Sequence, residues 1–179
     1  MKIGTAEQAS KEEWVSMTEY RKKFNSEEEF IRAVSSITMF NTEELMTMSF
    51  LQKEMWDRFE SKINNSFMLI FTLDIFKKYT RNTLLKFIKN GYDRIEFRAL
   101  LTKLKEYDAE GNFVKEHDEK MYLDAFDEVY NEVIKDHPNF SVGFIFFGLK
   151  IFPAHKNEEL FTKVCEFNWD KTIVLDFVQ

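Results

Sequence analysis

The sequence predicts an α/β fold in which a helical N-terminal half is followed by parallel strands joined by helices. The period of the apolar residues changes close to residue 90. Before it Ile75 and Tyr79 lie four residues apart, as on one face of a helix, and after it Ile95, Phe97 and Ala99 alternate with other residues, as in a strand. The second half then alternates strand, helix, strand, helix, strand, which is typical of parallel strands with helical crossovers.

The first 90 residues are predicted to be all-helical. Ser26 precedes three glutamates and should be an N-cap, with acidic residues in the first turn where the helix dipole favours them. Asn41 or Thr42, followed by two glutamates, should begin another helix. The last of these helices should end at Asn90-Gly91, a pair that tolerates the left-handed conformation.

Three strands are predicted in the second half, at Ile95–Leu100, Val142–Phe147 and Ile173–Val178. Because Val142–Phe147 is continuously apolar, it should be covered on both faces. The segments between the strands are predicted to be a turn at residues 108–112, an amphipathic helix ended by Pro138 with the stripe Tyr122, Phe126, Val129 and Val133, and a helix at Asn157–Phe167. We divide the chain into a helical segment, 1–90, and a strand-containing segment, 91–179, within a single structural unit.

Composition excludes several classes of protein. The net charge is −6 and no run of Lys and Arg suggests a nucleic-acid surface. No stretch of 18 apolar residues predicts a membrane span, and the first residues lack the apolar stretch of a signal peptide. Cys165 is the single cysteine, so no intramolecular disulfide is expected, which mildly favours a reducing compartment. The 20 phenylalanines indicate a large buried surface.

Charged residues in the predicted strands are the candidates for a site. Glu96 and Arg98 share one strand face, which in a barrel would point into the lumen and reach the active-site mouth. Glu96 would then be a substrate-contacting carboxylate. The alternatives are a buried Glu96–Arg98 ion pair or a polar face left exposed. For Asp176, in an apolar strand, we expect bonds to neighbouring backbone N–H groups or a position at the strand end.

The sequence predicts neither a metal site nor a nucleophile. His117, His137 and His155 form no His-x-His and no i, i+4 pair, whereas zinc needs three or four converging ligands. We expect all three to be ordinary surface or turn residues, with His155 in a turn. Cys165, apolar-flanked on a helix, is expected to be a small core residue. No Gly-rich phosphate loop or nucleophile elbow is found.

Short stretches in a defined order give the chain a family resemblance. They are Glu13-Trp14 to Tyr20-Arg21-Lys22, Met55-Trp56-Asp57-Arg58-Phe59-Glu60, Tyr92-Asp93-Arg94-Ile95-Glu96-Phe97-Arg98, His137-Pro138-Asn139-Phe140 and Leu175-Asp176-Phe177-Val178. Together they resemble the growth-factor-type, extracellular branch of the adenosine deaminase family, over about Glu13 to Gln179. Two positions depart from the pattern: Met121 stands where the branch has a nucleoside-covering Trp, and Gln179 where it has a Gly.

The resemblance implies part of a (β/α)8 (TIM) barrel, from after strand one through strand four. The family uses a catalytic zinc to deaminate adenosine to inosine, and its His-x-His ligands, its later His and Asp ligands and its catalytic Glu correspond to positions outside this sequence. The resemblance therefore implies no catalytic and no metal-ligating residue here, and no cofactor in this chain. Glu96 corresponds to the strand-two carboxylate that lines the nucleoside pocket, with Arg98 as its strand neighbour. The branch is often secreted; the compartment of this chain stays open.

Three classes of function remain compatible with the sequence. The first is a part of an adenosine deaminase that is inactive alone, and the second is a non-catalytic relative that serves as a structural or interaction subunit. The third is an independent nucleoside-binding module. An open set of barrel strands has unpaired edges and an uncovered lumen face. We therefore expect another protein chain to cover them, in a hetero-complex.

Overall fold

The computed structural model describes residues 2–4, 14–47, 52–150 and 152–178. The chain forms two compact units, which are described separately. The first unit comprises Met1–Thr72 and Lys105–Lys115, and the second comprises Leu73–Leu104 and Glu116–Gln179. The second unit thus begins at Leu73; the division of the sequence at residue 90 stays a prediction.

The elements of the described residues, in chain order, are β1 (Lys2–Gly4), β2 (Trp14–Ser16), α1 (Met17–Arg21), α2 (Glu27–Thr38), α3 (Thr42–Thr47), α4 (Gln52–Ile70), α5 (Leu73–Lys89), β3 (Arg94–Ala99), β4 (Lys105–Tyr107), β5 (Phe113–Glu116), α6 (Lys120–Asp136), β6 (Ser141–Leu149), α7 (Ala154–Phe167) and β7 (Thr172–Val178). None of the helices within these residues is long and apolar enough to cross a membrane.

The first unit contains the helices α1 to α4 and two short strand pairs. β1 and β2 pair in parallel, with Ile3 opposite Val15, so the expectation of an all-helical N-terminal half is wrong there. The pairing is non-local and only three residues long, too short to give an alternating pattern. β4 and β5 form the other pair. They flank the turn predicted at residues 108–112, where Gly111 has φ +86°.

Both predicted helix starts in the first unit are confirmed. The Ser26 hydroxyl accepts a hydrogen bond from the Glu29 N–H at 3.2 Å, at the start of α2. Asn41 precedes α3, and its side-chain oxygen accepts from the Glu44 N–H at 2.7 Å. The Glu44 carboxylate accepts in return from the Asn41 N–H at 3.0 Å. This reciprocal arrangement satisfies backbone donors that a helix start otherwise leaves without partners.

The second unit is built around a parallel sheet with the strand order β3-β6-β7. Its three strands are those predicted from the sequence, and their parallel pairing is confirmed. Ile95 lies opposite Val142 across the first pair, and Phe146 opposite Leu175 across the second. α5 ends at Lys89 and is followed by Gly91 at φ +84°, as the Asn-Gly signal predicts.

One face of this sheet is covered by helices. On that face Phe144 of β6 meets Phe126 of α6 at a ring-centroid distance of 4.8 Å, and Trp169 also at 4.8 Å. All four residues of the predicted α6 stripe are buried, and α6 ends at Asp136, just before His137-Pro138. At the far end of β6, Gly148 lies against Asn157 of α7, whose amide donates to the Leu149 carbonyl at 2.9 Å.

The other face of the middle strand is only partly covered. Ile145, Phe147 and Leu149 are half-buried, whereas the alternate positions Phe144 and Phe146 are almost fully buried. The expectation that β6 is covered on both faces is therefore wrong for the described chain. An apolar run indicates that a strand prefers burial on both sides, but it does not supply the layer that would bury the second side.

Candidate functional site

The candidate site is the open face of the three-stranded sheet. On β3 the side chains of Ile95 and Ala99 point to the helical layer and are buried, while Arg94, Glu96 and Arg98 alternate with them and are exposed. The period of two along a strand causes this separation. Glu96 and Arg98 thus share one face, as expected, and about half of each side chain is accessible: 47% for Glu96 and 52% for Arg98.

The charged groups of the open face form pairs that the sequence does not reveal. Glu96 lies 3.5 Å from the guanidinium of Arg94, its neighbour two residues back on β3. Arg98 forms an ion pair with Asp176 of β7. Because β6 lies between β3 and β7, this ion pair passes over the middle strand. Of the alternatives for Glu96 and Arg98, the polar face left exposed agrees with this arrangement, and the buried Glu96–Arg98 pair does not.

The middle strand supplies an apolar floor between the charged groups. Gly143 stands opposite Glu96, Ile145 opposite Arg98 and Phe147 opposite Asp176. The face therefore combines carboxylate acceptors, guanidinium donors and half-buried apolar side chains, a combination that can orient a flat polar ligand by hydrogen bonds while packing against it.

Sequence reasoning missed the part that Arg94 and Asp176 play at this face. Arg94 could have been found by extending the alternation of β3 one step back from Glu96. For Asp176 the sequence predicts bonds to backbone N–H groups or a strand-end position, and no local signal predicts an ion pair. Its guanidinium partner lies 78 positions earlier in the chain, and no local pattern reports such a pairing.

The histidines are dispersed, and among the described residues no group of three His, Cys, Asp or Glu is placed to hold a metal ion. His117 precedes α6, and its backbone N–H donates to the Leu104 carbonyl at 2.9 Å. His137 caps the end of α6. His155 lies in the first turn of α7, so its predicted turn position is corrected, because this helix begins at Ala154 rather than at Asn157.

Cys165 is exposed, which contradicts the expectation of a core position. On α7 the buried residues are Asn157 and Val164, seven positions apart on the same face. Each residue of an α-helix is rotated by about 100° about the axis from the one before it. Cys165, which follows the buried Val164, therefore lies away from the buried side. Apolar neighbours in the sequence therefore do not show which side of a helix a residue faces.

The fold and this face together define a mixed α/β protein with a parallel sheet, one face covered by helices and the other carrying charged residues. No family model matches the sequence. The chain is similar to adenosine deaminase 2 of Pongo abelii, with 24% identity over 157 residues, covering 87% of this chain and 28% of that protein. It is likewise 24% identical over 148 residues to adenosine deaminase 2 of Homo sapiens, covering 82% of this chain and 27% of the human protein.

The chain therefore spans little more than a quarter of the length of these curated relatives. The similarity is distant, and it supports an adenosine deaminase-like protein.

Proposed function

We propose that this chain is a non-catalytic part of an adenosine deaminase-like protein of the growth-factor type, and that β3, β6 and β7 are strands two to four of a (β/α)8 barrel. The observation that carries the proposal is the sheet itself. Three parallel strands stand in sequential order, helices cover one face, and charged residues alternate onto the other. In a barrel of this type the outer face is covered by helices and the inner face lines the lumen.

In this proposal the open face is the lumen face, and Glu96 and Arg98 contact a purine nucleoside. Glu96 has the accessibility that a ligand needs and stands opposite Gly143 of the middle strand. Arg98 is held toward β7 by Asp176, so its guanidinium spans the middle strand. The zinc and the acid/base Glu of the family are not assigned to any residue of this chain. A zinc ion activates water by lowering its pKa, and without that activation the barrier to deamination is far higher.

The test is an activity measurement on the purified 179-residue chain with added zinc. We expect inosine release at the level of the blank and no stoichiometric zinc by elemental analysis. One zinc per chain together with inosine release clearly above the blank would overturn the proposal that this chain is not catalytic.

Nucleoside contact is tested separately, by adenosine binding to the chain in the presence of any copurifying partner. Glu96→Gln keeps the size of the side chain but removes its charge, and should weaken binding by an amount typical of one hydrogen bond to a charged group, about 1.5–3 kcal/mol. Glu110→Gln, on the exposed turn of the first unit, is the matched control. Equal binding by both variants and the parent chain would remove Glu96 from the site.

A second candidate function is that of a structural or interaction subunit, and the half-buried Ile145, Phe147 and Leu149 favour it. These side chains lie on the open face between charged groups, as in a surface that another chain covers. Size-exclusion chromatography with light scattering tests whether the chain requires such a partner. A stable monomer near 21.5 kDa with a cooperative melt argues against a required partner, whereas aggregation that a coexpressed chain rescues supports one.

A further inference from the structure

We propose that a small cavity in the second unit binds small organic carboxylates with an apolar body. The cavity has a volume of about 300 Å³ and lies at the carboxyl edge of the sheet. It is separate from the residues of the open face, and the inference does not depend on the proposed function. In open α/β sheets, ligands bind in crevices outside the carboxyl ends of the strands, and 300 Å³ is the lower end of the volume range of such pockets.

The walls of the cavity are largely apolar. Leu100 and Leu101 follow the end of β3, Phe152 follows the end of β6, and Leu160 projects from α7. Leu101 is almost fully buried, so it forms part of the fixed core. Phe152 is 38% exposed, although its N–H is held by the Leu149 carbonyl at 2.9 Å. A ligand that covered this ring would remove apolar surface from water, which favours binding.

Three of the four charged side chains around the cavity pair with one another, with a net charge of −1. The ammonium of Lys163 lies 2.9 Å from Glu119 and 3.1 Å from Glu159. Burial pushes the pKa of Glu119 upward, but the hydrogen bond from Lys163, a backbone hydrogen bond and the charges of Lys163 and Lys103 together outweigh it and hold that pKa below its ordinary value. The same two carboxylates raise the pKa of Lys163. Glu119 and Lys163 therefore stay charged near neutral pH.

Lys156 is different from the other charged groups of the cavity. It lines the cavity from the first turn of α7, and no ion pair of Lys156 is found within the described ranges of the chain. Glu159, three residues further along the helix, is bound to Lys163 instead. A cation in the first turn is also disfavoured by the helix dipole. An anion beside Lys156 would remove this unfavourable interaction while its apolar body occupied the leucine-lined space.

The experiment compares three probes that share one body: 3-phenylpropionate, 3-phenylpropanol and 3-phenylpropylamine. They are titrated into the full chain, together with any chain that copurifies with it, and backbone amide shifts are followed by NMR. We expect the carboxylate to bind most tightly, in the millimolar range typical of so small a ligand. The alcohol should bind about two- to fivefold more weakly, the usual effect of one exposed ion pair. Shifts should centre on Leu100, Leu101 and Leu160.

Lys156→Gln removes the charge, and with it the carboxylate should bind no more tightly than the alcohol. Lys135→Gln, an exposed lysine near the end of α6, makes the same charge change away from the cavity and should leave all three affinities unaltered. Tighter binding of the amine than of the carboxylate would overturn the proposal. So would shifts confined to other residues, no shift with any probe, or equal weakening by both lysine variants.

Discussion

The two units of the molecule differ in where their apolar side chains lie. Every buried side chain of the described residues belongs to the second unit, from Phe76 to Val164. In the first unit large apolar side chains are exposed instead, among them Met46 and Trp56 at 82% and 54%. Helices of the first unit are specified mainly by local features such as caps and i, i+4 ion pairs, whereas the second unit depends on packing between distant segments.

The largest effect should come from the aromatic core of the second unit. Phe144 is 2% exposed and contacts the rings of Phe97, Phe126 and Trp169. We expect Phe144→Ala to lower the free energy of unfolding by about 3–5 kcal/mol, because it removes apolar contacts and leaves a cavity. Denaturant unfolding followed by circular dichroism measures it.

Phe59→Ala in α4 is the matched control from the first unit. Phe59 is 43% exposed and packs beside Trp56 at a ring-centroid distance of 5.5 Å. Its replacement should cost about 1–2 kcal/mol, clearly less than that of Phe144, since 43% of its surface stays in water after folding. If the two replacements cost the same, the contrast between the units is wrong.

The difference between the units also explains what the sequence could predict. The starts of α2 and α3 were predicted because Ser26 and Asn41 act within four residues of themselves. The parallel strands were predicted from the order of alternating patterns along the chain. The partner of Arg98 could not be predicted, because Asp176 reaches it only through the pairing of both outer strands with β6. The coverage of β6 depends likewise on which layers lie beside it.

The next effect concerns the contact between β6 and α7. A Cβ atom added at Gly148 would lie 2.6 Å from the Asn157 side-chain oxygen and 3.2 Å from the Phe161 ring. Gly148→Ala should therefore destabilise the second unit by about 1–3 kcal/mol, the usual cost of overpacking. Thermal or denaturant unfolding gives the value.

A double-mutant cycle identifies the cause of that loss. Asn157→Ala alone removes the hydrogen bond to the Leu149 carbonyl, at a cost of about 1 kcal/mol, but it also removes the close oxygen. In that background Gly148→Ala should cost at least about 1 kcal/mol less than in the parent chain. Strict additivity of the two changes would mean that Asn157 is not what restricts position 148.

A smaller effect is expected at the helix caps of the first unit. Asn41→Ala removes the acceptor for the Glu44 N–H and should cost about 1 kcal/mol, whereas Asn41→Ser retains a capping oxygen and should be nearly neutral. Amide hydrogen exchange in α3 measures the local loss. Faster exchange in the second unit but not in α3 would contradict a local origin.

The smallest effects concern two carboxylates whose pKa values are lowered for different reasons. At Glu44 the largest cause is the backbone N–H of Asn41, a local group, followed by the hydrogen bond from Lys62. At Glu119 burial is the largest influence and raises the pKa, and the hydrogen bond from Lys163, 44 residues away, is the largest of several influences that together outweigh it. A folded pKa below the ordinary value of 4.5 means that each group contributes stability above that pH. This contribution is lost as the pH falls through the folded pKa.

The partner lysines should therefore matter unequally. We expect Lys163→Met to raise the pKa of Glu119 further than Lys62→Met raises the pKa of Glu44, because Asn41 still donates to Glu44 after the lysine is gone, while burial at Glu119 is left opposed only by weaker effects. Carboxyl titration by NMR gives both pKa values in each variant. Equal shifts would indicate that the pKa of Glu119 depends on its distant lysine no more than the pKa of Glu44 does. The contrast between the two units would then not extend to their charged groups.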